Sequence, residues 1–221
     1  MEDKIKSEIL KLGADVCGIG TIDRFHDTPE GFAPTDIYPP CKSVISLGIA
    51  LPKGLFQVKP RLIYGHFNRE LCHRVDDIAF TASKWIEKEY GCQCIPIPCD
   101  SPNEYWDEKN LTAKGLLSMK HVAVNCGVGE IGKSSLLLNL TYGNRLTLGA
   151  ILTNLELKAD PIEKGICIPN CRKCIDVCPV KAIEDGRVNQ KLCRPNTYGK
   201  TAGGYDTVDC NLCRNICPKN L

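Results

Sequence analysis

The sequence predicts an α/β or α+β core followed by a small cysteine-rich domain. Three observations carry that reading. Helix-like and strand-like segments alternate through the first 160 residues, charge and Pro161 interrupt the apolar pattern near Lys158 to Lys164, and eight of the fifteen cysteines fall in the last 55 residues. A chain of 221 residues accommodates one medium and one small domain, divided as 1–160 and 161–221.

Ile5, Ile9 and Leu12 recur at helical spacing, and Gly13 stands where a helix C-cap belongs. Ala14 to Gly20 reads as a strand, Asp27 to Pro40 as a Pro/Gly-rich loop, and Ser43 to Leu51 as a second strand stopped by Pro52. The strongest helix runs from Asn68 to Tyr90. Its buried stripe is Leu71, Val75, Ile78, Ala82, Trp85 and Ile86, with Gly91 after it. Gln93 to Pro98 is a third strand and a polar loop follows through Lys114. Val122 to Val124 is a short apolar run, then Gly127-Val-Gly-Glu-Ile-Gly leads into a helix predicted from Ile131 to Leu140. Leu146 to Thr153 is a fourth strand.

The cysteines carry the chemistry. Cys167, Cys171, Cys174 and Cys178-Pro179 are spaced C-x3-C-x2-C-x3-C-P, and Cys193, Cys210, Cys213 and Cys217-Pro218 are spaced C-x16-C-x2-C-x3-C-P. Soft thiolates at these spacings suit a pair of [4Fe–4S] clusters. In two-cluster ferredoxins the Cys before each Pro ligates the other cluster. That rule assigns Cys167, Cys171, Cys174 and Cys217 to one cluster, and Cys178, Cys193, Cys210 and Cys213 to the other. The one departure is the extra residue between Cys167 and Cys171, which an Ile168-Pro169-Asn170 turn absorbs. Structural zinc is the weaker reading, because no His follows residue 121. Disulfides are weaker still: the polar start shows no apolar leader, and the remaining seven cysteines suit a reducing, anaerobic cytoplasm.

Composition excludes other classes. Hydrophobic residues make up 43% and charged residues 24%, as in an ordinary globular chain. No apolar run approaches the ~18 residues a membrane helix needs. No basic stripe with interleaved aromatics points to nucleic acid. The formal charge is +2, but eight thiolates and two oxidised cluster cores take it to about −2.

Gly127 to Ser134 fits both G-x-G-x-x-G and G-x-x-x-x-G-K-S. Glycines there allow close backbone approach, and amides at a helix start favour an anion. Too few residues follow for a nucleoside-triphosphatase core, and Glu156 is a poor ribose ligand for a dinucleotide fold. What remains is a turn lining another cofactor, or a turn where glycines simply permit tight packing.

His121-Val-Ala-Val-Asn-Cys-Gly-Val-Gly-Glu-Ile-Gly-Lys-Ser-Ser-Leu-Leu, Tyr142-Gly-Asn-Arg-Leu and Leu148-Gly-Ala-Ile-Leu-Thr-Asn-Leu-Glu-Leu run straight into the eight cysteines. This order resembles the epoxyqueuosine reductase and reductive dehalogenase group, cobalamin-dependent reductases with a ferredoxin-like domain. The similarity covers about residues 115 to 217, and more loosely Leu12 to Pro52. It implies a nitroreductase-like cofactor domain holding a base-off corrinoid, lined by Gly127, Gly129, Gly132, Lys133, Ser134, Tyr142 and Gly143. Epoxyqueuosine reductases carry Asp-x-x-Pro-x-x-Glu-Arg before the loop, with the Asp as proton donor. Here Ala113 stands at that position, and Met119 and Lys120 replace the Glu-Arg pair. The chain is also shorter than either family, so tRNA is not the expected substrate.

Reduction at a low-potential centre needs electrons and a positioned acid. His121, Asp100 and Tyr142 are the catalytic candidates, with Lys120 and Glu104 beside them. Each has a plainer reading: His121 and Tyr142 as core residues, Asp100 as a turn former. Cys92, Cys94 and Cys99 form C-x-C-x4-C, a third metal site or simply small apolar side chains. Arg172, Lys173, Lys191, Arg194 and Arg214 surround the ligands as potential tuners or docking charges. The expectation is a cytoplasmic iron–sulfur oxidoreductase passing electrons to a corrinoid. Its donor is a ferredoxin- or flavodoxin-type protein. The alternatives are a flavin-dependent reductase, an ATP-driven activator, and a non-catalytic carrier serving a corrinoid partner protein.

Overall fold

The computed structural model describes residues 1–59, 62–100, 104–184 and 186–220. Its elements are α1 (Glu2–Lys11), β1 (Val16–Thr21), the single turn α2 (Pro34–Ile37), β2 (Ser43–Ala50), α3 (Leu62–Tyr90), β3 (Cys94–Ile97), β4 (Tyr105–Asp107), β5 (Thr112–Lys114), α4 (Met119–Asn125), β6 (Glu130–Ile131), β7 (Leu137–Leu138) and β8 (Leu146–Thr153). The cysteine-rich region adds α5 (Lys173–Asp176), β9 (Ile183–Glu184), β10 (Arg187–Val188), α6 (Gln190–Thr197), β11 (Tyr198–Lys200), β12 (Asp206–Val208) and α7 (Leu212–Asn215).

The main sheet has the order β1-β2-β8-β3, and every neighbouring pair is antiparallel. The core is therefore α+β rather than a parallel α/β sheet. Alternate side chains of a strand face opposite sides, so a sheet covered on both faces is apolar throughout. β2 shows this directly. Ile45 and Leu47 join Ile5, Ile9, Val75, Ala82, Ile86 and Ile151 under α1 and α3. Val44, in the opposite phase, joins Val122, Ala123, Leu148 and Leu152 beneath α4. The result is three layers, with α1 and α3 on one face and α4 with the β6–β7 hairpin on the other.

β8 falls where the sequence places it, and α3 begins six residues before Asn68. The segment after the glycine loop differs. No helix spans Ile131 to Leu140; β6 and β7 form a hairpin instead, paired Glu130 to Leu138 and Ile131 to Leu137. Ser135 sits at its tip with φ 61°, a conformation that no helix continues. The run Val122 to Val124 belongs to α4, and the polar stretch before Lys114 contains the β4–β5 hairpin.

Residues 154–166 carry no regular element and run back along β1. Asp160 ties them down: its backbone N–H donates to the Ile19 carbonyl at 2.8 Å, and its carboxylate accepts from Ile19 N at 2.9 Å and Lys6 Nζ at 2.7 Å. Beyond them the cysteine-rich lobe docks against α3. Gly65 lies so close to Val208 that an added Cβ would sit 3.0 Å from its backbone nitrogen, and Arg69 pairs with Asp206 at 3.6 Å. No helix among the described residues is long and apolar enough to cross a membrane.

Candidate functional site

Each half of the cysteine-rich lobe uses the same local device. A one-turn helix, α5 or α7, carries the middle cysteine, Cys174 or Cys213, and a Pro after the last cysteine stops the turn. The extra residue between Cys167 and Cys171 is accommodated as the spacing implies. Asn170 takes φ 60°, and Cys171 N–H closes the turn onto the Ile168 carbonyl at 3.2 Å. Asn tolerates this left-handed conformation better than most residues. Cys193 is held by α6, whose first turn is capped by Asn189 accepting from Leu192 N at 3.3 Å.

Cys167, Cys171, Cys174 and Cys217 line one cavity, closed on the core side by Lys133, Ser134 and Leu138. Cys193 and Cys210 lie within electrostatic range of Cys213. Cys178 accepts an N–H···S bond from Ala182 at 3.2 Å. Burial raises the thiols of Cys174 and Cys217, and pushes Cys213 up to about 11. Such groups become thiolates when a metal displaces their protons. Thiolates are the ligand type an iron–sulfur cluster takes; among the described residues no three His, Cys, Asp or Glu side chains are gathered for a single metal ion.

Two residues of the β6–β7 hairpin anchor this cavity to the core. The Glu130 carboxylate accepts from Gly165 N at 2.7 Å and from Cys167 N, holding the first ligand loop. Lys133 Nζ donates to the Cys171 carbonyl at 3.2 Å, and its own carbonyl accepts from Gly186 N at 2.9 Å. The sequence drew attention to Lys133 through a phosphate pattern. Glu130 carried no such signal, since its partners lie 35 and 37 residues downstream.

The glycines of the loop meet the protein's own backbone. A Cβ on Gly127 would strike the Pro161 carbonyl, one on Gly129 the Leu138 carbonyl, and one on Gly132 the Leu138 side chain at 2.8 Å. Tight packing explains all three. Tyr142 and Gly143 belong to a different turn, built on Asn139, whose side-chain oxygen accepts from Thr141 N at 2.9 Å and Tyr142 N at 3.0 Å. Arg145 lies over the Tyr142 ring, 5.8 Å from its centroid.

That turn leads to a polar seam between the lobes. Asn144, only 1% exposed, donates Nδ2 to the Arg214 carbonyl at 3.0 Å. Asn144 Oδ1, Asn211 Nδ2 and Arg214 Nη1 are buried without a hydrogen-bond partner among the described residues. Unpaired buried groups of this kind cost about 1–3 kcal/mol each. Lys120 lies within electrostatic range of Arg214, and its Nζ donates to Ser135 O at 2.6 Å and Ser135 Oγ at 3.0 Å. Burial, and then Arg214, lower its pKa from the ordinary lysine range.

The three catalytic candidates occupy three separate elements. His121 is on α4 and bonds Ser118 Oγ through Nδ1 at 2.7 Å; burial, then Lys120, lower its pKa. Tyr142 lies under Arg145. Asp100 follows β3 at the edge of the described residues, near Cys72, Cys99 and Tyr198. No hydrogen bond joins the three among the described residues. Glu104 is exposed, and the Ala113 amide donates to Gln190 Oε1 at 3.2 Å, tying the β4–β5 hairpin to α6. Arg194 completes that contact, lying over Trp106 at 5.2 Å and Tyr198 at 5.7 Å.

Cys92, Cys94 and Cys99 do not form one group. Cys92 donates to the Ile86 carbonyl at 3.8 Å, burial pushes Cys94 up to about 12, and the Cys99 amide donates to Asp76 Oδ1 on α3 at 2.8 Å.

No protein-family model matches the chain. Epoxyqueuosine reductase of Lactococcus garvieae (strain Lg2) is 30% identical over 200 residues, covering 81% of this chain and 52% of the relative. The chain thus spans about half the length of this curated relative. Among solved structures, epoxyqueuosine reductase from Streptococcus thermophilus matches 100% of this chain and 66% of its own, with TM-score 0.70 and 20% identity. A reductive dehalogenase structure described for B12-dependent dehalogenation matches 98% of this chain and 31% of its own, with TM-score 0.74 and 19% identity. In sequence the chain is similar to epoxyqueuosine reductases, and in fold to those enzymes and to reductive dehalogenases.

Proposed function

We propose that the chain is an iron–sulfur oxidoreductase that carries electrons through two [4Fe–4S] clusters to a corrinoid, for reduction of a small substrate. The observation that carries this reading is the four-cysteine cavity packed against the β6–β7 hairpin, beside a seam of unpaired polar groups. The likeness to reductases supports it. Residues 1–160 serve as the cofactor domain and 161–221 as the electron-transfer domain.

When bound, the clusters supply one-electron transfer and the corrinoid a strongly reducing centre. Cys167, Cys171, Cys174 and Cys217 hold one cluster, and Cys178, Cys193, Cys210 and Cys213 the other. Glu130 and Lys133 fix the first ligand loop to the core. Tyr142 and Gly143, on the turn that leads to Asn144 and Arg214, would line the corrinoid. Gly127, Gly129 and Gly132 contribute by letting the hairpin close onto the core.

Lys120 is the better proton donor, because burial and Arg214 loosen its hold on the proton. His121, its pKa lowered by burial and then by Lys120, is chiefly neutral at neutral pH. Asp100 and Tyr142 are the remaining acid candidates, on the loop after β3 and on the Asn139 turn. The electron donor is a small redox protein, and the chain works in a reducing cytoplasm.

The test is an anaerobic electron paramagnetic resonance titration of the cluster-loaded protein with cob(II)alamin. Conversion to the base-off cobalt spectrum supports the proposal. A free-cobalamin spectrum beside intact cluster signals refutes it, and favours a flavin reductase or an electron carrier for a separate enzyme.

A further inference from the structure

Each of the two cysteine sets has one hydroxyl placed against it. In the second set the contact is direct: Thr197 Oγ1 lies 3.4 Å from Cys193 Sγ, one turn further along α6. A ligating thiolate has no proton to give, so the Thr197 hydroxyl is then the donor. Against the first set the hydroxyl is that of Ser134, which is 5% exposed and lines the cavity of Cys167, Cys171, Cys174 and Cys217. It has no hydrogen-bond partner among the described residues. Thiols aside, the other donor side chains lining that cavity are Lys133, already bonded to the Cys171 carbonyl, and Lys173, which is exposed.

The backbone holds Ser134 there. Ser135 N–H donates to the Gly132 carbonyl at 2.8 Å, so Lys133 and Ser134 are the central residues of a tight turn. Both flanks are pinned. The Lys133 carbonyl accepts from Gly186 N at 2.9 Å, and Lys120 Nζ donates to Ser135 O at 2.6 Å and Ser135 Oγ at 3.0 Å.

We propose that Ser134 and Thr197 set the reduction potentials of the two clusters, one each, by donating O–H···S hydrogen bonds to ligand or cluster sulfur. This deepens the function proposed above and rests on it. Hydrogen bonds to the sulfurs are among the factors that fix an iron–sulfur potential. Reduction adds one electron, supplied by the donor protein, and makes the sulfurs stronger acceptors. Each hydroxyl keeps its proton and favours the reduced form, so each raises the potential of its own cluster.

The experiment is a redox titration of the cluster-loaded protein, followed by low-temperature electron paramagnetic resonance. The first cluster is the one whose signal Cys174→Ser alters, and the second the one that Cys213→Ser alters. In Ser134→Ala the reduced-to-oxidised ratio of the first cluster should fall about tenfold at a given poise, or 59 mV for a one-electron couple, with the second unmoved. Thr197→Val, which keeps the side-chain shape, should lower the second cluster alone by a similar factor. Thr197→Ser and Ser134→Thr, which keep the hydroxyl, should stay closer to native than Thr197→Val and Ser134→Ala. Unmoved midpoints, or both clusters shifting together in either variant, would overturn the proposal while leaving the cluster reading intact. Loss of iron from Ser134→Ala and Thr197→Val would overturn it too, since it would assign the hydroxyls to cluster retention. A native protein without [4Fe–4S] signals would defeat the proposal and the cluster reading together.

Discussion

Replacing Glu130 by Gln exchanges one carboxylate oxygen for an NH2 group and tests how the first ligand loop is held. The carboxylate accepts from Gly165 N and Cys167 N through separate oxygens. Gln keeps one acceptor and turns an NH2 group toward the other amide, so one charge-assisted hydrogen bond is lost and one N–H is stranded. Hydrogen bonds to charged groups contribute about 1.5–3 kcal/mol. At about 1.4 kcal/mol per tenfold, the opened loop becomes about 10- to 100-fold more populated. Cys167 is at its end, so iron should leave from that site first. The assay is anaerobic iron release to a chelator, with iron counted per chain. The variant should fall quickly from about eight irons to about four and then slow, whereas the native protein releases both clusters slowly. Release at the native rate, or simultaneous loss of all the iron, would refute the reasoning.

Other consequences are equally direct. In Gly129→Ala the new methyl group meets the Leu138 carbonyl, and in Gly18→Ala it meets the Cys126 carbonyl; both variants should lose about 1–3 kcal/mol in denaturant unfolding. The folded-state pKa of His121 lies below the ordinary value of 6.5, so the unfolded chain takes up that proton first as pH falls. Its contribution to stability is therefore nil above that value and increasingly unfavourable below it. His121→Gln should flatten the decline of the unfolding midpoint between about pH 7 and 5. Lys120→Met removes the donor to Ser135; if Lys120 is the acid, kcat should drop about 10²–10⁴-fold with a native cluster spectrum.

The sheet was legible because β2 and β8 are apolar at nearly every position, and only a strand covered on both faces reads that way. The long stripe on α3 was equally clear, since Val75, Ala82 and Ile86 keep helical spacing over three turns. The hairpin after the glycine loop was not. Ile131, Leu137 and Leu138 suit a helix by spacing, and what excludes one is Ser135 at positive φ together with Leu138 folding back over Gly129 and Gly132. The cysteine spacing pointed to two crossed four-cysteine sets, and the first of them, Cys167, Cys171, Cys174 and Cys217, lines one cavity. Contacts across long separations left no trace in the sequence. Glu130 to Cys167 and Asn144 to Arg214 each join segments that local patterns cannot relate.

The crossed ligand assignment is where the account is most exposed, and it rests on Cys217 belonging with Cys174 rather than with its sequence neighbour Cys213. Low-temperature electron paramagnetic resonance of the reduced protein would compare Cys174→Ser, Cys213→Ser and Cys217→Ser. The account predicts that Cys174→Ser and Cys217→Ser alter the same cluster signal, while Cys213→Ser alters the other. A Cys217→Ser spectrum that matches Cys213→Ser, or no cluster signal in the native protein, would contradict it.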